Sequence, residues 1–449
     1  MVKPMAEHAG GETAAQRPMR MRDVRIPLGL LFVMSAVLFR LSRYTRHPLI
    51  DFGETSNVLI DIEAYKLMMM VPLALLLLAA LQFPRRTTIR VDPPLKLLLA
   101  LFVFAATSLL WAHNAIYGLP WLLRLTIPIS IYFLIINVTT EDDHLRWWGY
   151  LFVFMGVADA VITAIELPFL FRLWGGMRAA DPEIRGFINI YAHWAIVAFA
   201  FSIHFMAAGA TRRETVYGLL GALASLVAIY FTFRRAPVLA VVLFSLVYMA
   251  MIGRRRRAFV AFVVIAAILA GGVLVADPRY AQRVATVGQA ADLTDLQTDV
   301  QRVVQFFIGV KILRDHWLLG IGIGNLMQYI KDMYGIRWLP HNIYLEFGDE
   351  LGIGGLALFL GFVGVSLARG WRSYRTHLAR GDMQRASFAA TAVAALVGLL
   401  AAGFFQPMRF DFFIYVVAAM SSLAWEFTPP DQADDAASEP AAALPATSA

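Results

Sequence analysis

The sequence predicts an all-α, polytopic integral membrane protein with about twelve transmembrane helices and one large outer loop carrying short helices. Three observations lead there. Apolar residues make up 59% of the 449 positions, and mean hydropathy is +0.63, well above an ordinary globular domain. They fall in runs of about 17–25 residues, and 20 residues rising about 1.5 Å each cross a hydrocarbon core of roughly 30 Å. Arginine is rich in every second short connection and sparse in most of the others, the pattern that charge-directed insertion produces.

The expected spans are 26–42, 65–83, 95–112, 117–138, 147–168, 187–209, 215–232, 237–252, 257–276, 352–369, 386–407 and 411–427. The first lacks a small-residue cleavage site and is followed by Arg40, Arg43 and Arg46, so it reads as a retained span rather than a secretion signal. Residues 1–24 form a basic cytoplasmic segment, 25–428 the membrane domain, and 429–449, rich in Ala, Pro, Asp and Ser, a disordered cytoplasmic tail. Connections holding Arg85/Arg86/Arg90, Arg212/Arg213, Arg254 to Arg257 and Arg372/Arg375/Arg380/Arg385 lie on the cytoplasmic side, with both termini. The 277–351 connection then faces outward, which in a bacterium with two membranes is the periplasm, the chain sitting in the inner membrane. The net charge of +7 lies mostly between spans, which assigns it to topology rather than to nucleic acid. With no cysteine there are no disulfides, and redox compartment cannot be inferred.

Some arginines break the charge rule. Arg172, Arg178 and Arg185 precede the sixth span on the outer side; Arg234 and Arg235 fill the next outer turn; Arg302, Arg314 and Arg337 lie in the large loop; Arg409 sits in the last outer turn. Arg124 falls about two turns inside the fourth span, and because a charge at the bilayer centre costs about 2.5–3.5 kcal/mol it is expected to face a wet cavity or a partner. Guanidinium is planar, permanently charged and able to donate two parallel hydrogen bonds, so an outward cluster suggests a lipid phosphate or pyrophosphate as ligand. Any single arginine fits equally well with binding phospholipid headgroups or capping a helix. Arg235 and Arg302 taken together favour a ligand.

His341 lies in Pro340-His341-Asn342-Ile343-Tyr344-Leu345-Glu346, near the end of the long outer connection. An imidazole, with an ordinary pKa of about 6.5, is the natural general base at neutral pH, and nearby arginines disfavour its charged form. In a helix starting near Asn342, His341, Tyr344, Leu345 and Gly348 share one face, and Asn342, Glu346 and Glu350 the next. The same segment also reads as an interfacial histidine with a tyrosine anchor at a helix start, and the residues alone leave the two open. Gly320-Ile321-Gly322-Ile323-Gly324 lacks the strand–turn–helix context of a nucleotide loop and reads as a tight turn re-entering the membrane surface. Asp159 and Glu166 share a face of the fifth span, as a proton path or as partners of a charge such as Arg124. His193 and His204 read as packed or bonded residues, and no Cys/His/carboxylate spacing supports a metal site.

From about Leu223 to Phe359 the chain resembles the core shared by the bacterial O-antigen ligase and O-antigen polymerase superfamily. Thr232-Phe233-Arg234-Arg235-Ala236-Pro237 is similar to the family's Ser-Arg-Gly-Ala turn, with Arg234 replacing the serine and Ala236 the glycine. Arg302 through Gly324 resembles the block in which an arginine opens a periplasmic helix ending in a glycine-rich turn. His341 through Glu346, with Glu350-Leu351-Gly352 and Gly355, matches most closely, and Arg185-Gly186-Phe187 with Asn189 faintly resembles a fourth block. The resemblance implies transfer of a glycan from undecaprenyl pyrophosphate to an acceptor sugar at the periplasmic face, with His341 essential and Arg235 and Arg302 facing the phosphates. Arg185 or Arg124 would join that clamp, and Asn342, Tyr344 and Glu346 would support His341. It implies no metal or other cofactor, and as partners the lipid-linked donor, a lipid A core or other glycan acceptor, and membrane lipids. One large late loop and a single histidine block favour a ligase over an O-antigen or exopolysaccharide polymerase. A transporter or flippase of lipid-linked sugars is the rival from another class, but no internal repeat supports it.

Overall fold

The computed structural model describes residues 89–139, 141–174, 182–231, 235–252, 293–335, 340–406, 408 and 412–428. All regular structure among them is helical. The expected spans at 26–42, 65–83 and 257–276, both terminal segments, and Arg178, Arg234, Arg337 and Arg409 lie outside the described residues. Eleven α-helices are described: α1 (Pro93–Thr107, extended by a 3₁₀ turn Ser108–Leu110), α2 (Ala115–Val138), α3 (Asp143–Trp174), α4 (Pro182–Ala208), α5 (Arg212–Phe231), α6 (Arg235–Ile252), α7 (Leu293–Asp315), α8 (Leu326–Tyr334), α9 (Ile343–Ala379), α10 (Met383–Gly403) and α11 (Phe412–Glu426).

Four of them are long and apolar enough to cross a membrane: Pro93–Leu110, Ala115–Asn137, Ile343–Ala379 and Met383–Gly403. Shorter apolar helices at His193–Ala208, Ala236–Ile252 and Phe412–Glu426 fall where further spans are expected. At the remaining two expected positions the backbone is helical, in α3 and α5. Two features differ from expectation. The outer connection carries a helix of 23 residues, α7, and Arg302 stands in its interior rather than opening it. The span expected at 352–369 runs on to Ala379, and Gly352, with non-helical φ and ψ, separates it from the shorter helical stretch that begins at Ile343.

α10 is the axis of the bundle, flanked by α4, α6, α9 and α11. Its alanines (Ala389, Ala390, Ala392, Ala394 and Ala395) are fully buried. Without a hydrophobic drive between spans in lipid, small residues favour association by letting backbones approach. Gly398 shows how close: a Cβ there would stand 2.7 Å from the Ala240 carbonyl oxygen of α6. α1, α2 and α11 pack on one flank, α3, α4 and α5 on the other.

One end of the bundle is latched by ions. Arg146 donates through Nε to Glu214 at 2.7 Å, Arg385 through Nε to Asp142 at 2.6 Å, and Arg369 pairs with Glu426 at 3.0 Å. Burial alone would raise the Glu214 carboxyl, but hydrogen bonds from Tyr150 and Arg146 outweigh it and hold it below its ordinary range. This end also carries the basic turns of Arg212, Arg213 and Arg380, and His341 lies at the opposite end.

Candidate functional site

At the His341 end the backbone is built around a kink. Gly352 adopts φ 62° and ψ −166°, a region only glycine occupies without strain. The break frees the carbonyls of the preceding turn. Ile353, whose N–H an unbroken helix would give to Asp349, donates to Trp317 at 2.8 Å. The Asp349 and Glu350 carbonyls instead accept from Ile321 (3.0 Å) and Gly322 (2.9 Å). The glycine-rich turn is therefore a docking loop seated on the kink. Its contact with the kink tolerates no side chain, since a Cβ on Gly320 would meet Glu350 backbone at 2.3 Å and one on Gly352 would meet the Leu318 oxygen at 2.4 Å.

The Glu350 carboxylate completes this joint. It accepts from the Gly324 N–H at 2.5 Å and the Leu326 N–H at 3.3 Å, capping α8 from another helix. The local N-cap, Asn325, makes no side-chain cap bond. Asn325 instead accepts from the Asn114 N–H at 2.8 Å and donates to the Ile323 carbonyl at 2.9 Å. The turn between α1 and α2 is thus a third partner. Ser108 Oγ accepts from Ile323 (3.0 Å), Trp111 donates to the Leu319 carbonyl (3.1 Å), and His113 donates its N–H to the Ile321 carbonyl (3.0 Å). The His113 ring bonds Asp332 of α8 at 2.9 Å. That bond, followed by one from Gln328, holds the Asp332 carboxyl below its ordinary range. Residues 108–114 carry no motif signal in the sequence, and they meet the loop through the backbone of His113 and Asn114 and the side chains of Ser108 and Trp111.

His341 stands just ahead of α9, exposed, after a buried Pro340. Asn342 is the N-cap: its side-chain oxygen accepts from Tyr344 (2.9 Å) and Leu345 (3.1 Å). One of the supporting residues is thereby a helix cap, satisfying two of the first turn's orphan N–H groups. Tyr344 donates to the Leu400 carbonyl of α10 at 3.0 Å, and Ile343 lies against Gly403, where an added Cβ would stand 2.9 Å from it. Glu346, Asp349 and Glu350 are all buried, whereas His341 is exposed.

Helix register relates the arginines to this start. Gly309 of α7 lies over Pro340, Leu345 and Asp349, and Leu313 lies over Gly348, so α7 and the first turns of α9 run side by side in one direction. Arg302, exposed, is seven residues before Gly309 on the same face, about 10 Å up the axis on the His341 side. α6 runs antiparallel to α10, with Ala240 opposite Gly398 and Tyr248 bonded to Ser387 at 2.8 Å. Arg235, the first residue of α6, is therefore level with the end of α10 that holds Ile343. Arg185 lies eight residues before His193, whose ring bonds Gln406 at 2.5 Å just beyond α10, which sets the Arg185 backbone at the same end. His204 is also bonded, to Ser387 at 3.0 Å.

Arg124 belongs to another flank. It is on α2, which packs on α1 and α11, and its guanidinium lies 5.2 Å over the Trp121 ring, which in turn lies under Gly324 of the docking loop. Its partner is an aromatic face, one way to hold a cation at depth. Arg314 is paired locally with Asp315 at 2.9 Å. The side chains of Asp159 and Glu166 lie outside what is described.

A multi-pass helical membrane protein with an exposed histidine and outlying arginines gathered at one end is the class that fold and site define. Residues 220–360 match the family model of O-antigen ligase, a span that takes in Arg235, Arg302, His341 and the kink at Gly352. That stretch is a domain of the O-antigen ligase and polymerase superfamily. No curated protein matches the chain.

Proposed function

We propose that this protein is an O-antigen ligase that moves a glycan from undecaprenyl pyrophosphate to a sugar of the lipid A core at the periplasmic face of the inner membrane. One observation supports the reading: within the family-matched residues, the exposed His341, Arg302 and the backbone of Arg235 all lie toward the same end of the bundle. The imidazole of His341 takes the proton of an acceptor hydroxyl, and that oxygen attacks the anomeric carbon of the donor. The bond from that carbon to the pyrophosphate oxygen breaks, the centre inverts, and the polyprenyl pyrophosphate leaves with its electron pair. Arg235 and Arg302, joined by Arg185, stabilise the charge that grows on the leaving group. Fixed guanidinium groups supply that stabilisation without a metal ion. Arg124, over Trp121 beneath Gly324, supports the docking loop in this scheme rather than the phosphates.

A polymerase of the same superfamily shares this chemistry, and the match covers both. The purified protein, given lipid-linked glycan and lipid A core together, separates the two. A core-linked product with an inverted anomeric centre is expected. Extension of the lipid-linked glycan alone identifies a polymerase, and movement of the intact donor across a bilayer without transfer refutes both.

A further inference from the structure

An aromatic surface adjoins this site that neither the family match nor the proposed chemistry uses. Phe306 of α7 meets Phe307 edge-on (centroids 6.0 Å apart) and Phe404 at a tilt (6.3 Å), and Phe404 meets Phe405 edge-on (5.3 Å) and Tyr344 at a tilt (6.2 Å). Three chain segments thus pool their rings into one patch. Of the five exposed phenylalanines among the described residues, four are here: Phe306 at 37%, Phe307 at 64%, Phe404 at 47% and Phe405 at 50%. Elsewhere the exposed side chains of the apolar helices are mostly aliphatic, such as Leu99, Val103, Val242 and Leu360. α7 is not among the described helices long and apolar enough to cross a membrane. The backing is rigid, with Tyr344 bonded to α10 and Ile343 against Gly403.

The rim of the patch is polar. Arg302 is one turn before Phe306 on the same face of α7, and His341 is three residues before Tyr344. A surface that is apolar in the middle and cationic at its edge complements an amphiphile with an anionic head and a hydrocarbon tail. Flat, rigid rings contact such a tail with little loss of side-chain freedom. We infer that the Phe306/Phe404 patch seats the head-proximal isoprene units of the polyprenyl donor, leaving the pyrophosphate beside Arg302. The inference rests on the function proposed above, and it deepens it by giving the tail a place.

The test is binding rather than turnover. Long-chain polyprenyl pyrophosphate without a glycan is titrated into the full-length protein in phospholipid nanodiscs, with short-chain prenyl pyrophosphate and inorganic pyrophosphate as comparison probes. In the double variant Phe306→Ala/Phe404→Ala the long-chain affinity should fall about tenfold. The affinities of the two comparison probes should hold, and Phe306→Leu/Phe404→Leu should recover part of the loss. An unchanged long-chain affinity overturns the inference and makes the rings an ordinary lipid-facing surface. Altered self-association with unchanged affinity overturns it in favour of a second copy of the chain. Glycan transfer by the wild type is assayed separately. Chain-length-selective binding without transfer leaves the patch standing and removes the ligase reading, whereas transfer with unaltered binding does the reverse.

Discussion

His341 is exposed while the three carboxyl residues that follow it, Glu346, Asp349 and Glu350, are buried. The ring can therefore meet a hydroxyl from outside, and Glu350 is committed to holding the docking loop. The sequence made a helix start near Asn342 legible, and it left His341 open between a base and an interfacial histidine until the family resemblance favoured the base. It did not reveal that Arg302 stands inside a long helix, because 293–301 are polar and look like loop. The interior position matters for the chemistry: it places the guanidinium's backbone on a helix packed against α9 at Gly309. Arg302→Lys should lower kcat/KM for transfer roughly tenfold or more, since an ammonium keeps the charge and loses the planar fork. Wild-type kinetics in that variant would reduce Arg302 to a structural cation.

The joint between the docking loop, the kink and the α1–α2 turn fixes where α9 begins. Its glycines were visible in the sequence. Their partners were not, because a backbone N–H given to another segment's carbonyl leaves no trace in residue type. Gly352→Ala should destabilise the protein by about 3 kcal/mol, from a conformation closed to alanine and from overlap with the Leu318 carbonyl. An unchanged thermal midpoint would mean the kink is not under this constraint. The His113–Asp332 bond ties α8 to the α1–α2 turn and predicts a pH effect. Asp332 titrates lower in the folded protein than unfolded, so its contribution is present above the ordinary carboxylate range and is lost as pH falls through the folded value. Hydrogen exchange in α8 should rise on that acid side, and His113→Ala should shift the rise to higher pH. Identical profiles for variant and wild type would show that the bond does not anchor α8.

At the scale of the molecule, alternating charge gave the order of ends, and the helices do place His341 opposite the basic turns of Arg212, Arg213 and Arg380. Neighbourhood was another matter. Spans that are apolar all round carry no stripe to say which face meets which helix, so α10 as the axis and Arg124 on a separate flank could only come from packing. The absence of cysteine allows a clean test of orientation. A membrane-impermeant maleimide should label Asp315→Cys from the periplasmic side of intact inner membranes, and Arg380→Cys only after lysis. The reverse pattern would turn the site toward the cytosol. The central claim, a histidine base beside an arginine-held pyrophosphate, meets its most direct measurement in purified His341→Ala protein, with donor binding and glycan transfer followed together. Donor affinity should stay at the wild-type level while transfer falls by roughly 10²–10⁴ or more. Transfer at the wild-type rate would contradict the claim.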